Sequence, residues 1–238
     1  MNFEPRPSAP NSSSSRAFGW AALGCGLAAL LIAVLVAPPD SMQGDAARLI
    51  YVHVPAAWTA YLGYLVVLTA STQYLRTGQQ RWDRYAQAAA EIGVAMTTLT
   101  IAVGSVWGRA VWGVWWAWDP RLVSTALLLL VYAAYLALRR VGSAERDGNR
   151  RAAWLGIGGS LMIPVVHFSV VWWRSLHQPA TLLAPSAHPP IDAVMAATLA
   201  LAVTAFTLAA VWLFLRRQTT LRAVAAAESG APALSHRS

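Results

Sequence analysis

An all-α integral membrane protein with six transmembrane helices and both termini in the cytoplasm is the architecture this 238-residue sequence predicts. Three observations carry that expectation. Hydrophobic residues make up 57% of the chain and charged residues only 12%, half the roughly 25% charged share of soluble domains. Six stretches approach the roughly 20 apolar residues that cross a bilayer: 18–37, 56–75, 86–107, 122–138, 152–173 and 191–215. The 18 basic residues are all Arg, and they fall unevenly among the connecting segments.

In chain order, the Pro- and Ser-rich residues 1–17 read as a disordered cytoplasmic tail. The first span is longer than the about 7–15 apolar residues of a signal peptide and lacks a small-residue cleavage site, so it reads as a retained helix. Span two follows an outer segment, 38–55. Span three carries Glu91, an ionisable group in a span and hence a functional candidate by default. Helix packing or local hydrogen bonding is the preferred reading for it, with no partner assigned. A second outer segment, 108–121, leads into span four. Span five carries His167, read as a packed or hydrogen-bonded helix residue. The third outer segment, 174–190, leads into span six, and 218–238 read as a disordered cytoplasmic tail. The membrane domain is thus 18–217.

Fourteen Arg residues lie in the tails and the even-numbered loops, among them Arg76, Arg81, Arg139, Arg150 and Arg217. Only Arg48, Arg109, Arg121 and Arg174 lie on the other face. The positive-inside rule places the fourteen in the cytoplasm. The basic balance is therefore orientation, and nucleic-acid binding is set aside. One cysteine, Cys25, excludes an internal disulfide, a CxxC pair and a thiolate zinc site. There is no internal repeat of the kind many transporters show.

The outer segments concentrate the chemistry. Pro55 cannot donate inside a helix, so His53 is expected just before helix two begins. His177 is expected one turn beyond helix five. Both are candidate ligands for a shared metal, since neutral imidazole binds haem iron and other metals. The alternative is an interfacial imidazole bonded to a backbone carbonyl. His188 and His236 have no partner in view. Five of the twelve Trp residues (Trp107, Trp112, Trp115, Trp116 and Trp118) crowd the second outer segment. An interfacial aromatic belt explains two or three of them. Gly108 and Gly113 between them would let the backbone approach a flat object, and indole faces pack well on planar aromatics. Asp119-Pro120 suits a helix start, with Asp capping and Pro at the first position. The four outer Arg, Arg48, Arg109, Arg121 and Arg174, could pair with carboxylates or simply anchor helix ends. A flat apolar ligand with carboxylates and a metal that takes two His is most economically haem.

At these residues the sequence resembles the cytochrome c maturation protein C family, which handles haem in the bacterial inner membrane. Trp112-Gly113-x-x-Trp116-x-Trp118-Asp119-x-Arg121, with Ser105-x-Trp107-Gly108 upstream, matches the Trp-rich signature. Tyr51-x-His53-Val-Pro55 matches the first His motif, and Trp172-Trp173-x-x-Leu176-His177-Gln178 the second. Pro120 stands where the family pattern leads one to expect Ala. The resemblance implies that His53 and His177 are the axial ligands of a non-covalent b-type haem at the periplasmic face. It implies hand-over to a membrane-anchored periplasmic haem chaperone, with a single-span helper subunit and an ATP-binding-cassette transporter as further partners. A transfer and transport protein, not an enzyme, is what it describes. The rivals are a permease moving haem through the bilayer and a structural subunit of a membrane complex. A haem-attaching enzyme would need its own thiol recognition and more soluble mass.

Overall fold

The architecture was taken from a computed structural model, which describes residues 12–142, 146–177 and 192–230. Among the described residues seven α-helices follow one another: α1 (Ser12–Leu35), α2 (Ile50–Thr77), α3 (Gln80–Trp112), α4 (Pro120–Gly142), α5 (Arg146–Ser160), α6 (Met162–Trp172) and α7 (Ala193–Gly230). A 3-10 turn, Asp45–Leu49, leads directly into α2. Among the described residues six segments are long and apolar enough to cross a membrane: Ser13–Leu35, Asp45–Thr77, Gln80–Trp112, Pro120–Val141, Gly148–Trp172 and Ala193–Ala227. The expected six-span, all-helical architecture is the one observed.

The fifth span is two helices because its sequence cannot sustain one. Pro164 has no N–H to give the Ser160 carbonyl, and the Leu161 N–H instead closes a tight turn onto Gly158 O (3.2 Å). Tyr132 of α4 stitches the break, its hydroxyl meeting Gly156 O (3.1 Å) and Ser160 Oγ (2.8 Å). That close packing needs glycine: a Cβ on Gly159 would fall 2.8 Å from Val131 and 3.2 Å from the Tyr132 ring.

Around the break lies the main core, drawn from α2 to α6. Tyr64 and Tyr132 stack there with ring centroids 3.7 Å apart, and the Tyr64 hydroxyl bonds Thr97 Oγ1 (2.7 Å). Burial of two phenols in apolar surroundings is tolerable because each hydroxyl is bonded. A second cluster joins α1 to α7 through Ala29, Ala33, Leu199 and Ala202. Small residues allow this close approach without hydrophobic drive from the lipid. Leu23, Leu27, Leu30 and Leu31 of α1 are left exposed, as an apolar solvent permits.

At the Arg-rich end, two carboxylates of α3 reach across the bundle. Asp83 makes a buried bidentate pair with Arg139 of α4. Glu91, without an assigned partner in the sequence, pairs bidentately with Arg217 of α7 at 2.6 and 2.8 Å. Gln87 bridges the two pairs, accepting from Arg139 (3.1 Å) and donating to Glu91 (3.2 Å).

Both helical ends run further than the composition suggests. Residues 12–17 are already in α1, and α7 continues through 218–230, which the sequence reading assigned to a disordered tail. Gln218 is buried and donates to Arg84 O (2.9 Å), and the Ala-rich 223–227 has high helix propensity once the span has nucleated the helix. Residues 1–11, 231–238 and most of the third outer segment, including Gln178 and His188, lie outside the described residues, as does His236.

Candidate functional site

At the Trp-rich end, α2, α3, α4 and α6 enclose a cavity of about 260 Å³ that His53 and His177 both line. His53 lies inside the first turns of α2, not ahead of the helix as Pro55 suggested. The 3-10 turn starts the helix early, and Pro55 is accommodated within it. Thr59 Oγ1 folds back onto the Pro55 carbonyl (2.8 Å). The edge of His53 meets Trp107 at 5.7 Å between centroids. On its other flank stands Gly104, where a Cβ would fall 2.8 Å from His53 Cε1. Glycine at 104 is thus the condition for this imidazole's position. Its Nδ1 is buried against α3, beside the Thr100 backbone and Gly104.

His177 follows α6 and is held by α4. Its Nδ1 lies 3.0 Å from Asp119 Oδ1. The same carboxylate accepts the Arg121 N–H (2.9 Å), the Leu176 N–H (2.7 Å) and the Ser175 hydroxyl (2.8 Å). Asp119 therefore caps α4, as its position before Pro120 predicted, and also ties the 175–177 segment to the Trp-rich segment. Burial alone would raise the Asp119 pKa, but these hydrogen bonds outweigh it and hold the carboxyl below its usual range. The same burial pushes the His177 pKa down. Asp119 opposes that shift and the Arg121 charge adds to it, so the ring is neutral near pH 7. A neutral imidazole giving its Nδ1–H to a carboxylate carries its lone pair on Nε2, the arrangement that metal-binding His residues share. Trp112 packs edge-on against His177 at 4.9 Å.

The five-Trp cluster divides. Trp107 and Trp112 line the cavity, each against one imidazole, and the Trp107 indole N–H is bonded to Gln43 Oε1 (2.8 Å). Trp116 pairs edge-on with Trp118 outside it, and Trp115 and Trp118 are 61% and 86% exposed. The two glycines have local reasons. Gly113 ends α3 in the left-handed conformation (φ 77°), which favours glycine. Gly108 is buried, and a Cβ there would meet Trp112 at 3.2 Å and Val114 O at 3.3 Å. Gly108 also lines the cavity, whereas Gly113 is not among its lining residues.

Of the four outer Arg, the structure brings one to the cavity. Arg121 lines it and donates to the His167 carbonyl (3.0 Å). Arg48 is bonded to Asp45 (2.9 Å) and to Ala33 O, fastening the 3-10 turn to α1. Arg109 folds onto Gly113 O at the end of its own helix, and Arg174 is exposed after α6. Gly104, Tyr61 and Gln43 are cavity residues that the sequence reading missed, and His167, set aside there, also lines it. Their signal was helical spacing: Gly104 and Gly108 are four apart on α3, and Tyr61 is eight residues from His53 on one face of α2.

Among the described residues no three His, Cys, Asp or Glu side chains form a group able to hold a bare metal ion. Two imidazoles suit a metal that brings its other ligands with it.

A family model described as heme exporter protein C matches residues 8–230. The chain is 40% identical over 148 residues to heme exporter protein C of Bradyrhizobium diazoefficiens, covering 62% of this chain and 56% of that one. It is 36% identical over 187 residues to heme exporter protein C of Escherichia coli K12, covering 78% and 74%. A ccmC-like mitochondrial cytochrome c biosynthesis protein of Marchantia polymorpha is 36% identical over 154 residues, covering 65% of each chain. The match thus spans little more than half the length of the Bradyrhizobium relative and about two thirds of the Marchantia one. A family model that matches nearly the whole chain, with relatives 36–40% identical, shows that this protein belongs to the heme exporter protein C family.

Proposed function

We propose that this protein holds non-covalent b-type haem between His53 and His177 and presents it for transfer, in c-type cytochrome assembly. The observation that carries the reading is one cavity with two imidazole walls and a carboxylate that orients one of them. His53 and His177 supply the axial nitrogens and the porphyrin supplies the other four. Trp107 and Trp112 give the rings their lateral support, and Arg121 gives the slot a cation suited to a haem carboxylate. Iron chemistry belongs to the haem; the protein's part is orientation and exclusion of water.

The Arg asymmetry supports a periplasmic location for this end of the bundle in the inner membrane. The acceptor would be a membrane-anchored haem chaperone there, with a helper subunit and an ATP-binding-cassette transporter completing the assembly. Presentation is supported over permeation by the fully buried Tyr64–Tyr132 stack, which fills the core next to Thr97 of the cavity wall.

Visible spectra of the purified protein with haem test the proposal. The parent is expected to give a low-spin bis-imidazole Soret spectrum. His53→Ala and His177→Ala are each expected to lose it, with recovery on adding free imidazole. Unchanged spectra in both variants would reject ligation by these residues.

A further inference from the structure

Between α1 and the rest of the bundle lies a second cavity, of about 770 Å³ and open along one side. Helix α1 packs closely on α7 and hardly touches α2, so at the Arg-rich end a slot remains between α1, α7 and α3. It runs along α1 from Arg16 to Leu30, fourteen residues, and along α7 from Arg216 back to Ala205, eleven residues. At 1.5 Å per residue these lengths are about 21 and 16 Å, against about 15 Å for half of a bilayer's hydrocarbon core. The slot is therefore about one leaflet deep. Its chemistry changes along that depth. The mouth carries Arg16 and Trp20 on α1 and Arg216 and Trp212 on α7, in each helix one turn apart with the Arg outermost. Trp212 lies against Gly19, where a Cβ would fall 3.2 Å from its Nε1. Indoles favour the headgroup level, so the two guanidinium groups stand where lipid phosphates are. Among the described residues no Asp or Glu lines the slot. Glu91, next to Ile92 of its wall, is already held by Arg217. Below the mouth the walls are apolar, with Leu23, Leu27 and Leu30 facing Met96 and Phe206. Thr59, at the deep end, gives its hydroxyl to the Pro55 carbonyl of its own helix.

We infer that this slot is the seat of one anionic phospholipid from the leaflet at the Arg-rich end. Its phosphate lies between Arg16 and Arg216, because guanidinium groups suit phosphate oxygens in charge and in fork geometry. One acyl chain fills the slot along α1, past Met96 and Phe206. A lipid matches the order of the groups, negative charge outermost and hydrocarbon below. An apolar partner helix would leave two like charges at the mouth uncompensated. The lipid also supplies packing that the chain lacks. Helices α2 and α3 form a wall one helix thick here, with Thr59 and Met96 on the slot and Tyr61 and Thr97 on the cavity that His53 lines. Filling the slot braces that wall from behind and seats α1 against it.

Native mass spectrometry of the lipid-stripped full chain in detergent micelles tests this, with phosphatidylglycerol and phosphatidylcholine of the same acyl chains as probes. The parent is expected to bind phosphatidylglycerol about tenfold or more tighter, since each basic side chain at a headgroup favours the anionic lipid. In the double variant Arg16→Gln with Arg216→Gln that preference is expected to disappear, while helix content by circular dichroism stays at the parent level. Ala209→Phe puts a ring into the slot and is expected to weaken both lipids. Phosphatidylglycerol is also expected to raise the melting temperature of the parent, as a ligand of the folded state does, and not that of Ala209→Phe. Arg81→Gln, at the same end but outside the slot, is expected to bind both lipids as the parent does. Equal binding of the two lipids by the parent overturns the inference without recourse to any variant. So does a preference that survives in the double variant or is lost in Arg81→Gln, and so does parent-strength phosphatidylglycerol binding by Ala209→Phe. A lipid-stripped dimer that Ala209→Phe abolishes would overturn it by assigning the slot to a second copy of the chain.

Discussion

Asp119 shows how much one side chain can decide. Its two oxygens serve four donors from two separate segments, so under the proposed haem ligation it would act on the ligand through His177. Asp119→Ala is expected to lower haem affinity about 10–100-fold, the usual range for removing a carboxylate behind a ligating His, and to cost about 1 kcal/mol as a lost helix cap. Titration of haem against the variant, beside its thermal melt, separates the two effects. The His177 pKa lies below its ordinary 6.5. Burial favours the neutral ring in the folded state, so the contribution of that ring to folding and ligation is present above pH 6.5. It is lost as pH falls below that value toward the folded pKa. The bis-imidazole spectrum is accordingly expected to persist through pH 6.5 and fade on further acidification; a midpoint above 6.5 would contradict the burial argument. Gly104→Ala tests the other imidazole. A Cβ 2.8 Å from His53 Cε1 must displace the ring, with an overpacking cost of about 1–3 kcal/mol, and haem affinity is expected to fall while helix content by circular dichroism stays at the parent level.

The segment between α3 and α4 was legible as special from its composition, yet its division of labour was not. Five Trp residues within 107–118 all looked like one platform in the sequence. The α3 helix runs to Trp112 and then stops at the left-handed Gly113, so Trp107 and Trp112 face inward on a helix while Trp115 and Trp118 stand on the loop beyond it. The corresponding prediction is a split phenotype. Trp107→Ala and Trp112→Ala are expected to lower haem retention on purification, whereas Trp115→Ala with Trp118→Ala is expected to keep parent haem content and Soret position. Haem quantified by pyridine haemochrome decides this, and a loss in the second pair would return those rings to the binding site. Helix starts follow the same lesson. Pro55 reads as a boundary by its missing N–H, but the preceding 3-10 turn carries the helix past it and brings His53 into the bundle wall.

Across the whole bundle, the Arg-rich end is tied by charges that no sequence pattern pairs. Asp83 and Arg139 are 56 residues apart, and Glu91 and Arg217 are 126 apart. Asp83→Asn leaves Arg139 buried without its counterion and is expected to destabilise by about 3–5 kcal/mol. The double change with Arg139→Met is expected to recover a large part of that loss, because a well-packed apolar pair removes the desolvation penalty along with the attraction. Thermal denaturation in detergent measures both, and equal melting of parent and Asp83→Asn would deny the pair its role in joining α3 to α4.

The fold class and the number of spans were determined by sequence alone, because the bilayer imposes length, apolarity and internal backbone bonding on each segment separately, and those are local properties. The sequence also singled out His53, His177, Asp119 and the Trp-rich stretch as candidates, with an interfacial role open for each of them. Tertiary structure alone decided that Arg121, and not Arg48, Arg109 or Arg174, enters the cavity, that Gly104 makes room for His53, and that Glu91 answers to Arg217. Each of these depends on which helix faces rotate toward one another and how far a side chain reaches. Packing between distant segments sets those quantities, and no local period in the chain records them.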